Sequence, residues 1–95
     1  MTITMTIEFE AAPGARDALV AKMRGIIPET LGFEGCQRIE FFERGDANGS
    51  LILLEDWESE ERYAAYKAWR KETGTSVLAS DLVNGPATTT TWNAL

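Results

Sequence analysis

Between residues 55 and 69 the chain reads E-D-W-E-S-E-E-R-Y-A-A-Y-K-A-W, five acidic and four aromatic residues in fifteen positions. Carboxylates can act as bases or metal ligands, and rings bearing an N–H or O–H can hold a flat, oxygen-bearing ligand. The acids divide by position. Glu58, Glu60 and Glu61 straddle a helix start, where the dipole stabilises each negative charge by about 0.3–1 kcal/mol, and exposed neighbouring acids lack the burial that perturbs a carboxylate. Glu55 and Asp56 are consecutive on a strand, so one of them should face inward, and any base would have to be water or a buried carboxylate such as one of these two.

The aromatics carry the stronger signal. Trp57 ends a strand, and Tyr63, Tyr66 and Trp69 follow three residues apart along one side of a helix. Core packing accounts for rings at helical spacing. However, each of these four has a polar hydrogen that costs about 1–3 kcal/mol if buried without a partner, and Leu or Phe would fill a purely structural core without that demand. A wall of such groups is suited to a flat, oxygen-bearing ligand.

The chain contains no histidine, which excludes Ser/His/Asp and Cys/His catalysis, histidine-ligated metal and proximal-histidine haem. Its single cysteine, Cys36, cannot form an internal disulfide and has no base beside it in sequence. A small, apolar, partly buried role suits it. Nine basic against fifteen acidic residues give a net charge of −6, which repels phosphate backbones and anionic lipid, so neither nucleic acid nor a membrane surface is the expected partner. No stretch is long enough for a membrane span, and the alternating N-terminus is unlike a signal peptide, so the default expectation is a cytoplasmic protein. Asn48-Gly49-Ser50, although sequon-like, then carries no argument for a glycan.

These side chains must be positioned by one domain spanning residues 1–95. A chain this short buries only roughly 60–65% of its unfolded surface, so a partner subunit would help it. Ile3, Met5, Ile7 and Phe9 alternate with Thr4, Thr6 and Glu8, a strand over residues 2–10. Ala12-Pro13-Gly14 breaks it, and Leu19, Met23, Ile26 and Ile27 recur at helical spacing in a helix that Pro28 is expected to end or kink near Ile27. Residues 36–44 and 50–58 read as antiparallel strands joined by the turn formers R-G-D-A-N-G-S. The run Leu51-Ile52-Leu53-Leu54 needs cover on both faces, one from helices and the other from a second subunit. Ser59 suits an N-cap for a helix over about 60–72, with Lys67, Arg70 and Lys71 favouring its C-terminal dipole and Gly74 stopping it. A short third helix within 75–85 and a threonine-rich last strand after Pro86 complete the chain. The order β-α-β-β-α-β predicts an α+β, ferredoxin-like fold, one antiparallel sheet with its helices on one face.

Three stretches, A-x-P-G-x-R-D-A-L, L-G-F-E-G-C-Q-R-I-E-F-F and L-L-E-D-W-E-S-E-E-R-Y-A-A-Y, resemble the antibiotic-biosynthesis-monooxygenase-type domains. That resemblance implies a homodimer whose sheets pair in an α/β barrel, with a pocket between sheet and helices in each protomer. It implies oxidation of a small aromatic such as a quinol, anthrone or polyketide by O2 without flavin, haem or metal, with Trp57 and Tyr63 matching the aromatic pair that lines the pocket; on that resemblance Trp57, Tyr63 and Tyr66 are the candidate catalytic donors, and Phe41, Leu53 and Trp69 the candidate substrate-binding residues. Two departures stand out. Tyr66 occupies a position where many relatives carry histidine, and Leu53 stands where anthrone oxidisers place an asparagine. Haem degradation, which needs a ligating histidine, is not expected. A non-catalytic dimeric small-molecule-binding module and a cofactor-free isomerase of the same fold remain the alternatives, and oxygen consumption separates the oxygenase from both.

Overall fold

The alternation of the first strand survives residue by residue in the computed structural model, which describes residues 2–45 and 49–95: Ile3, Met5, Ile7 and Phe9 are buried, and Thr4, Thr6 and Glu8 lie on the other face. Strand β1 (Ile3–Glu10) is followed by helix α1 (Arg16–Leu31), strands β2 (Cys36–Glu43) and β3 (Ser50–Trp57), helix α2 (Glu60–Thr73), a single 3₁₀ turn at Val77–Ala79, and strand β4 (Thr88–Asn93). The strands form one sheet in the order β2-β3-β1-β4, and every pairing is antiparallel. This is the α+β, ferredoxin-like arrangement that the element order predicts. The middle of the β2–β3 turn, including Asn48, lies outside the described residues.

Register places the future site. Across β1 and β3, Ile3 faces Trp57, Met5 faces Glu55 and Ile7 faces Leu53, so a glutamate enters the apolar row that the helices cover. The opposite row pairs Thr4 with Asp56, Thr6 with Leu54 and Glu8 with Ile52. Asp56 therefore points away from the helices, where it accepts from Thr4 Oγ1 at 2.7 Å and from Arg38 Nε at 2.8 Å. β4 presents Thr88 to Thr91 to β1, mostly exposed, as the threonine run suggests.

Both helices are seated by specific contacts. Ser59 caps α2 by accepting from the Arg62 N–H at 3.2 Å, and Gly74, at φ 66°, closes its far end while Thr75 N–H reaches the Arg70 carbonyl at 3.0 Å. α1 departs from expectation, because it continues through Pro28 to Leu31. Proline forfeits one helical hydrogen bond, but the last turn is held from outside: Thr30 is buried and its hydroxyl is bonded by Tyr66 and Arg70 of α2. The third helix expected within 75–85 shrinks to the 3₁₀ turn, whose Val77 carbonyl accepts from both the N–H and the hydroxyl of Ser80. With Ala12 N–H bonded to the Leu82 carbonyl at 2.8 Å, this segment follows the end of β1 instead of standing as a free helix.

Gly35 sets the distance between β2 and α2. Its φ is +95°, its carbonyl accepts from Glu58 N–H at 2.8 Å, and an added Cβ would come within 2.5 Å of Arg62 Cβ. Gly35→Ala combines backbone strain with an overlap that no rotamer relieves, so it should cost about 2–4 kcal/mol in a urea unfolding titration. Unchanged stability would show that α2 shifts freely on the sheet.

Candidate active site

Beneath α2 lies a cavity of ≈ 670 Å³, within the usual size range of small-ligand sites. Its floor is the sheet (Ile7, Leu53, Glu55), its walls are Met23 and Ile26 of α1 and Tyr63 and Tyr66 of α2, and the segment from Ser76 to Ser80 closes one side. The lining is chiefly apolar, and the carboxylate of Glu55 is the acidic group in it.

Glu55 is only 3% exposed. Its Oε1 accepts from Trp57 Nε1 at 2.8 Å, a bond between two side chains on the same face of β3. Burial raises its pKa above the usual glutamate value, and the opposing pull of the Trp57 N–H and the Arg70 charge does not cancel the effect. A carboxylate so placed holds a proton more readily than an exposed one, which is the property a general base needs near neutral pH. Of the two candidate bases on β3, Glu55 is the one in the cavity, and Asp56 is bound to Thr4 and Arg38 on the far face.

The aromatic residues separate into roles that their spacing does not distinguish. Leu53, Tyr63 and Tyr66 line the cavity; Trp57, Trp69 and Phe41 do not. Trp57 is fully buried behind Glu55, packed at 5.0 Å from Tyr66 and 5.6 Å from Tyr63, and its N–H is engaged by that glutamate. Trp69 packs at a tilt against Phe33, 5.5 Å between ring centres, and its ring lies 4.9 Å from the Arg70 guanidinium. Phe41 stacks parallel to Phe9 at 6.2 Å. The Tyr66 hydroxyl accepts from Arg70 Nε at 2.9 Å and shares a bond with Thr30 Oγ1 at 2.8 Å. The Tyr63 hydroxyl has no partner among the described residues. Burial, with Glu55 and Tyr66 nearby, drives its pKa upward, so Tyr63 stays a neutral phenol that can donate.

Arg70, read from sequence as a dipole partner, is 4% exposed and ties α2 to α1. It bonds Tyr66, Glu29 Oε1 at 2.5 Å, Thr75 Oγ1 at 3.1 Å and Thr30 Oγ1 at 3.1 Å. The one signal for this in the sequence is its offset of four from Tyr66, which puts both on one helix face. Cys36 is half-buried, and desolvation together with the Glu55 charge pushes its thiol up to about 11. It should resist iodoacetamide at pH 7.5 in the folded protein and react once unfolded in urea at raised pH; rapid native alkylation would contradict that environment.

A four-stranded antiparallel sheet with two helices on one face, bordering an apolar cavity with one buried carboxylate, defines a small α+β domain of ferredoxin-like topology. The chain belongs to the antibiotic biosynthesis monooxygenase family, whose model matches residues 2–74. Rv0793 from Mycobacterium tuberculosis superposes with a TM-score of 0.76 at 25% identity, covering 100% of this chain and 96% of that one. A conserved protein from Methanosarcina mazei gives 0.83 at 17% identity over 97% and 91% of the two chains, and a crystal structure of an antibiotic biosynthesis monooxygenase gives 0.83 at 16% over 98% of each. Among curated proteins none matches this chain. No helix is long and apolar enough among the described residues to cross a membrane.

Proposed function

We propose that this protein is a cofactor-independent monooxygenase that oxidises a small electron-rich aromatic, of quinol, anthrone or polyketide type, with O2. The observation that carries this reading is Glu55: a buried carboxylate, anchored through one oxygen, lining an apolar cavity in a family of oxygenases. An anthrone or quinol, once deprotonated, is itself a reductant of O2, so the protein need only bind it away from water and take the proton. Glu55 takes it, and Tyr63 donates to the substrate oxygen where negative charge develops. For an anthrone-type methylene, the carbanion transfers an electron to O2, radical and superoxide combine at that carbon, and the peroxide is protonated. Removal of the second C–H proton then breaks the O–O bond, leaving a carbonyl and, with one proton, water. One oxygen atom enters the product and the other leaves as water.

Trp57 acts on this reading through Glu55, by fixing the carboxylate, and Leu53 contributes an apolar floor. Trp69 packs beside Tyr66 of the wall, and Phe41 pairs with Leu53 of the floor from the next strand. The same base could shuttle a proton between two carbons, and that observation favours a cofactor-free isomerase as the second reading. A chelator-treated sample mixed with an anthrone panel in a closed cell separates the two, since the oxygenase consumes one O2 per carbonyl formed and an isomerase consumes none.

A homodimer is part of the proposal. On the sheet face away from the helices, Ile52 and Leu54 are half-buried, while Phe42 and Trp92 are 47% and 55% exposed. Pairing two such faces would cover them and supply the second layer that a leucine-rich strand demands. Light scattering at micromolar concentration should give twice the chain mass.

A further inference from the structure

The chain has three lysines, and the fold brings all of them to one place. Lys67 and Lys71 line the cavity, and Lys22 lines an adjoining hollow of ≈ 330 Å³ that shares Ile26, Arg70, Ser76, Val77 and Ser80 with it. None of the three makes an ion pair among the described residues, although the chain has fifteen acids to offer and Arg16, Arg38, Arg44, Arg62 and Arg70 each meet a carboxylate. Lys67 and Lys71 are four apart on α2, hence neighbours on one face, and Lys67 Nζ sits 5.7 Å from the Tyr63 ring centre. Glu55 is buried on the sheet floor, whereas the lysines are exposed, so they mark the cavity mouth.

We propose that the substrate is a carboxylated aromatic, whose ring system fills the cavity above Leu53 and Glu55 while its carboxylate is held at the mouth by Lys67 and Lys71. This rests on the reading of the cavity as the substrate site. A net charge of −6 would otherwise repel such an anion, and a local cationic rim is what reverses that repulsion at one point. A single carboxylate fits better than a phosphate. The guanidinium that could grip a phosphate in a bidentate fashion, Arg70, is committed to Glu29. With Lys22 beside them, the lysines set specificity for the acid over its neutral analogue, and the proton transfer stays with Glu55.

Binding without turnover tests this separately from the oxygenase reading. Isothermal titration would compare anthraquinone-2-carboxylate with anthraquinone-2-carboxamide, and a naphthoate with its naphthamide, at low salt. The acids should bind about tenfold tighter than the amides. That preference should shrink at 0.5 M salt, disappear in the Lys67→Met, Lys71→Met double variant, and persist in the Lys67→Arg, Lys71→Arg variant. Equal affinities for acid and amide, a preference that survives loss of both lysines, or no binding by any of the acids would overturn the proposal. Failure of the oxygenase reading would show instead as absent oxygen uptake, whatever these titrations give.

Discussion

Glu55→Gln should lower turnover by about two to three orders of magnitude while leaving the protein folded and, at neutral pH, more stable than the parent. The amide keeps the shape of the side chain and an oxygen for the Trp57 N–H, but it cannot take a proton. In the parent, turnover should rise with pH through the Glu55 pKa, above the ordinary glutamate value of 4.5, and then level off. Stability moves the other way. Because burial raises the folded-state pKa above the unfolded one, the native protein holds a proton in that window that the unfolded chain has released. Glu55 thus contributes most to stability below the ordinary glutamate pKa, and this contribution is lost as pH rises through the folded value. Urea midpoints from pH 4 to 9 should fall across that window in the parent and show no such component in the glutamine variant. Parallel pH profiles for the two proteins would remove Glu55 as the base.

The second large effect is structural. Arg70→Met should destabilise the fold by about 2–4 kcal/mol, read as a shift in urea midpoint at unchanged slope. Its guanidinium bonds Tyr66, Thr30, Thr75 and Glu29, and it stacks on Trp69. Glu29 is half-exposed and can return to water, so the loss comes chiefly from the buried hydroxyls of Tyr66 and Thr30 and from the packing of the guanidinium. Arg70→Lys should recover only part of this, because a point charge cannot reach the same partners at once. Since Tyr66 and Arg70 itself line the cavity, the methionine variant should also bind the anthraquinone acids more weakly. Full stability in Arg70→Met would mean that α1 and α2 are held together by apolar contacts alone.

The fold was legible because its signals are local and periodic. Alternation in β1, the Ser59 cap and the Gly74 stop each specify their element without help from distant residues. Pro28 misleads for the complementary reason: its helix turn is retained by Thr30, Tyr66 and Arg70, partners that no local pattern joins. In the site, sequence spacing selects Tyr63 and Tyr66, the family resemblance adds Leu53, and the base is left between water and two adjacent acids. Strand register then separates them, since Glu55 faces Met5 inside the sheet while Asp56 faces Thr4 outside. What periodicity cannot reveal is how donors are already used. Trp57 and Tyr66 look like free donors in sequence, yet in the fold one is bound to Glu55 and the other to Thr30 and Arg70. The clustering of Lys22 with Lys67 and Lys71 likewise depends on α1 and α2 packing side by side, and nothing in either helix alone announces it.

The most direct test of the central claim is the fate of labelled oxygen. Chelator-treated protein incubated with an anthrone substrate under ¹⁸O2 should yield a product carrying one ¹⁸O atom, the other appearing in water, at a rate that falls to the uncatalysed background in Glu55→Gln. A product formed without label, or one labelled at the same rate by the glutamine variant, would contradict a Glu55-driven, cofactor-independent monooxygenase.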